Sequence, residues 1–317
     1  MLQPRSERRV LGLSYQRVSL PSGEIRYVDV GSGPPILLLH GAPFTSVGFC
    51  RLIRRLRAKY RVVAPDLPGF GLSRASPAFG GLLADYARFI DEFWTLLELR
   101  ELVVFACDSS ACMALAAASG APSRVKGFVI ADTVPLPLTG IIALVRIILK
   151  YVVASRLMRF VNRRFNLIPR LVASVAPWRR PFSSEERARM IAQFSTPESR
   201  DRVIDVFGHM GQDVEFMQRT ALDTQHHLAE KPALLVYGQF DPMRVLGAVT
   251  RYRRLFPRNQ VHIVPFEEHF PMLAEGERVG DVIDGWVRAL DRHGLLDNQS
   301  PPVNAQLTER APGEVTS

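Results

Sequence analysis

The stretch Glu101-Leu102-Val103-Val104-Phe105-Ala106-Cys107-Asp108-Ser109-Ser110-Ala111-Cys112-Met113-Ala114-Leu115-Ala116-Ala117 decides the architecture. Its first part, Leu102 to Phe105, is a short uninterrupted apolar run, the pattern of a strand buried on both faces. Ala111 to Ala118 reads as a helix of small residues. Between them, a side chain held out on a sharp strand-to-helix turn needs small residues two before and two after it. Those positions hold Ala106 and Ser110, so the turn centres on Asp108. The start of the helix also brings unpaired backbone N–H groups and a positive dipole end to that side chain.

Outward from this unit, strands and helices alternate. A hairpin is expected from Gln16 to Ser19 and Glu24 to Val30 around Ser22-Gly23. Strand patterns follow at Ile36 to Leu39, Arg61 to Ala64 and Val125 to Ile130, with helical spacing over Gly48 to Lys59 and Tyr86 to Leu97. Near Pro135 and Pro137 the alternation stops for about 95 residues. It resumes with a strand at Ala233 to Tyr237, a helix at Val245 to Phe256, a strand at Val261 to Val264 and a helix at Val279 to Leu290. The expected organisation is an N-terminal extension (1–14), an α/β core in two parts (15–134 and 230–293), a helical insertion (135–229) and a disordered tail (294–317).

Catalytic groups of an open parallel sheet collect at the carboxyl ends of its strands. Besides Asp108, two such ends carry chemistry: Gly238-Gln239-Phe240-Asp241-Pro242 and Glu268-His269-Phe270-Pro271. Upstream, His40-Gly41-Ala42-Pro43 ends an early strand, where a loop of oxyanion-binding amides belongs. The chain order is nucleophile, acid, histidine.

With Ala64-Pro65-Asp66-Leu67-Pro68-Gly69-Phe70-Gly71-Leu72-Ser73 added, these motifs resemble the α/β-hydrolase superfamily over residues 15–293. They are most similar to its aspartate-nucleophile branch, the haloalkane dehalogenases and epoxide hydrolases. Phe79 to Leu99 and Asp132-Thr133-Val134-Pro135 look more like the dehalogenase side. The resemblance implies a mostly parallel sheet flanked by helices with an inserted helical cap. Chemically it implies Asp108 as nucleophile, His269 oriented by Asp241 as base, the N–H groups of Ala42 and Ser109 as oxyanion hole, and no metal or organic cofactor.

The resembling dehalogenases hold the halide with a Trp just after the nucleophile and an Asn in the oxyanion loop; Ser109 and Ala42 stand there. Trp178 in the insertion is a candidate donor from above. Epoxide hydrolases protonate the ring oxygen with hydroxyls of the cap, for which Tyr151, with His209 as second donor, is the alternative. Two further alternatives are a serine esterase using Ser109 and an inactive lipid- or ligand-binding protein. Asp132 is an alternative acid to Asp241.

The chain has 317 residues and a formal net charge of +9. Nine basic residues and no acidic one lie between Thr133 and Ser184, so the rest of the chain sums to zero. Three cysteines without paired spacing suggest neither a disulfide framework nor a zinc site, and imply a reducing, cytoplasmic compartment. The N-terminus lacks the apolar run of a signal peptide, and no stretch reaches a spanning helix of about 18 apolar residues. In the insertion, Ile141, Leu144, Val145, Ile148, Leu149 and Val152 follow helical spacing, and Arg156, Arg159 and Arg163 form a basic stripe. The expected role is a cap whose apolar face covers the site, admitting a small lipophilic substrate. The sharper alternative is contact with an anionic membrane surface, peripheral to the bilayer. Nucleic acid is not expected, because aromatic interleaving and a binding motif are missing. The oligomeric state is left open.

Overall fold

The computed structural model describes residues 8–10, 12–134, 136, 143–175 and 184–293. The first half of the chain supplies β1 (Arg8–Val10), β2 (Leu13–Leu20), β3 (Gly23–Val30), β4 (Pro35–Leu39), α1 (Cys50–Leu56), β5 (Arg61–Pro65), β6 (Arg74–Ala75), α2 (Leu83–Leu96), β7 (Leu102–Cys107), α3 (Ser110–Gly120) and β8 (Val125–Ala131). Then come α4 (Ala143–Ile147), running into a π-helical segment Ile148–Val153, and α5 (Arg156–Phe165), α6 (Leu167–Val175), α7 (Ser184–Ala192), α8 (Pro197–Gln212) and α9 (Val214–His227). The chain returns through β9 (Ala233–Gly238), α10 (Pro242–Val245), α11 (Ala248–Leu255), β10 (Asn259–Val264), α12 (Pro271–Ala274) and α13 (Gly276–His293).

The strands lie in the order β1-β2-β3-β5-β4-β7-β8-β9-β10, with β6 on β3. Pairing is antiparallel from β1 to β5 and parallel from β5 to β10. Successive side chains of a strand point to opposite faces, so the sheet splits its core in two. Leu37, Leu39, Val104, Ala106, Phe128 and Ile130 join the cluster formed with α2 and α3, while Ile36, Leu38, Val103, Phe105 and Val129 join the cluster of α1 and α13. A layer of helices therefore covers each face, as the near-continuous apolar strands require.

Residues Arg8–Val10, assigned to the extension, pair antiparallel with β2 at the sheet edge. Helix α9, assigned to the insertion, packs on α3, with Met217 and Ala221 in the same cluster as Ala114 and Leu115. The tail 294–317 lies outside the described residues. Cys50, Cys107 and Cys112 are free thiols.

The helices between β8 and β9 are tied together by polar groups. Asn162, fully buried, donates to the Arg200 carbonyl at 2.8 Å and accepts from the Ile168 amide at 2.8 Å, joining α5, α8 and α6. Arg159 pairs with Asp205 at 2.7 Å and Arg163 with Asp201 at 2.6 Å. The expected basic stripe is thus partly neutralised by acids of α8. The expected apolar face divides as well: Val145 and Leu149 pack on the core cluster, whereas Leu144, Ile148 and Val152 are exposed. Ile141 lies outside the described residues.

Candidate active site

Strand β7 ends at the turn expected around Asp108, whose φ of 51° is left-handed, a conformation that costs a non-glycine residue on the order of 1–3 kcal/mol. The surroundings hold it there. Its amide donates to the Ala131 carbonyl at 3.2 Å, and its own carbonyl accepts from the Thr133 hydroxyl at 2.8 Å. Ser110, where a glycine is usual in such turns, donates its hydroxyl to the Leu39 carbonyl at 2.9 Å and accepts from the Cys107 amide at 3.1 Å. A serine here therefore ties β4 to the turn as well as being small. Ser109 has ordinary helical angles, φ −60° and ψ −31°, so the presented residue is Asp108 rather than Ser109.

Strand β4 neighbours β7, which brings His40-Gly41-Ala42 against the turn. A Cβ on Gly41 would lie 2.5 Å from both Cβ and Oδ2 of Asp108, so only glycine permits this approach. The Ala42 amide donates to Asp108 Oδ2 at 3.2 Å and to Ser109 Oγ at 3.2 Å, and the Ser109 amide also bonds the Asp108 carboxylate. Fully buried His40 fixes the loop: its Nε2 accepts from the Leu67 amide at 2.9 Å, so Nδ1 carries the proton and donates to the Gly41 carbonyl at 3.0 Å. Burial lowers its pKa to about 4 and keeps it neutral.

His269 Nδ1 lies 3.0 Å from Asp241 Oδ1, and Asp241 is fully buried at the start of α10, where Oδ1 also accepts from the Met243 amide at 2.8 Å. Burial pulls the His269 pKa down, but the bond to Asp241 and the charges of Asp241 and Asp108 outweigh it, and the net shift is upward. Burial raises Asp108, while the His269 charge and the Ser109 and Ala42 amides offset part of the rise. The two side chains are thus close enough to shift each other's ionisation. Phe270, itself at φ 71°, stacks edge-on against His269 at 4.0 Å and against Phe44 at 4.3 Å, forming an apolar wall.

Asp132 also meets this pair. It is fully buried, at φ 45°, and its Oδ1 accepts from the Gly238 amide at 3.3 Å. One donor atom each from Asp132, Asp241 and His269 lies within 4.8 Å of the others, the one such potential metal-ligand cluster among the described residues. Oδ2 of Asp132 and Oδ2 of Asp241 are both buried with no other hydrogen-bond partner. Burial, then the Asp241 charge and a hydrogen bond to Asp241, push Asp132 well above the usual carboxylate range. Burial beside Asp241 thus favours the neutral form of Asp132, which avoids two buried anions side by side.

Residues 34–275 match the alpha/beta hydrolase fold family. The chain belongs to that family. This α/β hydrolase is 30% identical over 262 residues to haloalkane dehalogenase 2 of Mycobacterium tuberculosis, covering 82% of this chain and 90% of that one. It is 26% identical over 289 residues to the haloalkane dehalogenase of Agrobacterium fabrum, covering 83% and 88%. The crystal structure of haloalkane dehalogenase DbeA from Bradyrhizobium elkani superposes with a TM-score of 0.76 over 88% of this chain and 99% of that one, at 19% identity. The hydrolase is therefore haloalkane dehalogenase-like in sequence and in fold.

Of the other expected site residues, Tyr151 and His209 show no hydrogen bond to Asp108, Asp241 or His269. Tyr151 is 65% exposed, with the Lys150 ammonium 5.1 Å from its ring centroid, so it does not serve as a buried ring-opening acid. His209 faces Asp213, the residue that follows its helix, at 3.8 Å. Trp178 lies outside the described residues. Cys107 and Cys112 are buried, with burial pushing both thiols up, Cys112 to about 12, so neither is a reactive thiolate. A cavity of about 510 Å³ between α9 and α11, lined by Leu136, Leu222, Arg251 and Leu255 among others, contains none of the three catalytic candidates. Sequence patterns missed the parts played by His40, Ser110 and Thr133. Only the position of Thr133 beside Asp132 at a strand end hinted at its part.

Proposed function

We propose that this α/β-fold hydrolase acts on sp³ carbon bearing a halide-type leaving group, through a covalent ester on Asp108. The observation that carries the reading is the left-handed Asp108 turn, with Oδ2 held by the Ala42 amide and the carboxylate coupled to His269. Oδ2 is thereby committed, leaving Oδ1 to attack. The Oδ1–carbon bond forms as the carbon–halogen bond breaks, and the electron pair leaves with the halide. The wall of Phe44 and Phe270 suits a small lipophilic substrate.

In the second half-reaction His269, oriented by Asp241, takes a proton from water as the water oxygen attacks Asp108 Cγ. Charge develops on Oδ2 against the Ala42 and Ser109 amides, each worth about 3 kcal/mol in acyl chemistry. The intermediate collapses with loss of the alkyl oxygen, which takes the proton from His269 and leaves as the alcohol. Ser109 Oγ already accepts from Ala42 and bonds the nucleophile, so it is not free to hold the halide. Bromide and iodide, which leave with less assistance, are the expected substrates ahead of chloride.

Turnover of a haloalkane panel in ¹⁸O-water, with mass analysis of the Asp108 peptide, tests this. Label is expected in Asp108, and His269→Phe is expected to accumulate the alkyl adduct. Label absent from Asp108 during turnover of any substrate refutes the ester. No turnover and no adduct across the panel favours a binding protein.

A further inference from the structure

We propose that the outer face of the helices between residues 144 and 171 is a docking surface for an anionic lipid membrane. Residues at spacing i, i+3, i+4, i+7 and i+8 share one side of a helix, and in globular proteins that side normally faces the core. In α4 and the π-helical segment the five such residues, Leu144, Ile147, Ile148, Tyr151 and Val152, are instead 45–65% exposed. The reason lies on the opposite side. Gly211 of α8 packs so closely on this segment that a Cβ there would stand 2.7 Å from the Lys150 amide nitrogen, which fixes which face turns inward.

Helix α5 is inverted in the same way. Its polar residues Arg159, Asn162 and Arg163 face α8, so Leu157 and Phe160 point outward, 73% and 66% exposed. Phe165 at its end and Leu171 on α6 continue the apolar surface, at 57% and 54%. Both α5 and the π-helical segment pack on α8, so their outer faces are neighbours. Apolar side chains exposed together on neighbouring helices form a contiguous patch of the kind that marks an interaction surface.

Charge selects the occupant. Lys150, Arg156, Arg164 and Arg170 lie among these side chains, are exposed, and have no ion pair with a described residue. The Arg164 guanidinium rests 5.2 Å from the Phe165 ring centroid, and Lys150 lies over Tyr151. A second copy would bring four cations against four, a repulsive juxtaposition. The boundary of an anionic bilayer takes up the apolar side chains and the cations together. The described residues contain no helix long and apolar enough to cross a membrane, so the contact is peripheral.

Flotation of the full chain tests this, using phosphatidylcholine vesicles with and without equimolar phosphatidylserine. Binding is expected only with phosphatidylserine and should fall as salt rises. Each of Lys150→Gln, Arg156→Gln and Arg164→Gln should weaken it about five-fold. The double variant Leu157→Ser/Phe160→Ser should abolish it while leaving the melting temperature and the turnover of a water-soluble substrate unchanged. No binding to anionic vesicles at low salt overturns the proposal. So does binding that the double variant leaves intact, since charge alone would then explain it, or self-association in sedimentation that the double variant removes. Flotation needs no turnover, so its outcome is independent of the covalent mechanism.

Discussion

At the scale of the residue, the coupling of Asp108 to His269 has a consequence for timing. In the resting enzyme the Asp108 charge helps hold the His269 pKa up. In the proposed mechanism ester formation would remove that charge, so the pKa of His269 would fall when it must act as a neutral base. Asp108→Asn imitates the neutral state: in an NMR titration its His269 pKa should lie below that of the native enzyme. The acid limb for hydrolysis of the isolated ester should likewise lie below the resting value, because a lower His269 pKa keeps the base neutral to lower pH. Equal pKa values in the two proteins would contradict the coupling. The two carboxylates behind the histidine also separate by experiment. Asp241→Asn removes the acceptor at Nδ1 and should slow ester hydrolysis by about 10²–10⁴-fold. Asp132→Asn keeps an acceptor for the Gly238 amide and offers an N–H to Asp241, so hydrolysis should stay within about ten-fold of native. A large loss in both would make Asp132 a full partner in orienting His269.

At the scale of the element, the strand ends were legible because burial and local geometry write themselves into short stretches. Leu102 to Phe105 is apolar throughout because β7 is covered on both faces, and Ala106 and Ser110 are small because Asp108 sits in a tight turn. The insertion was less legible. Helical spacing of apolar residues identifies a helix but carries no information about which side meets the core, and the side was set by α8. Gly211 is the residue through which this can be measured. Gly211→Val should drive its side chain into the backbone at Arg146 and Lys150 and cost about 1–3 kcal/mol. Calorimetry together with hydrogen exchange over 143–153 would show the loss, and unchanged protection there would mean that the segment is held from elsewhere.

For the whole molecule, the same division holds between the sheet and what is set upon it. The chain order Asp108, Asp241, His269, at the ends of the parallel strands β7, β9 and β10, follows the sequence, and so do the nine cations of 133–184 with no acid among them and the zero net charge of the rest of the chain. Distance in space is not such a property. Asp201 and Asp205 lie beyond the basic stretch in sequence, yet they neutralise Arg163 and Arg159, leaving the cations around Phe160 as the ones that face outward. Asp132 and Asp241 are separated by more than a hundred residues and share one buried space because β8 and β9 are neighbours. By itself the sequence determined the fold, the turn at Asp108 and the order of its partners, because each follows from side-chain size and polarity within a few residues. Only the tertiary structure decided which carboxylate touches His269 and which face of the inserted helices meets solvent, because burial and charge pairing depend on neighbours that the chain brings together from afar.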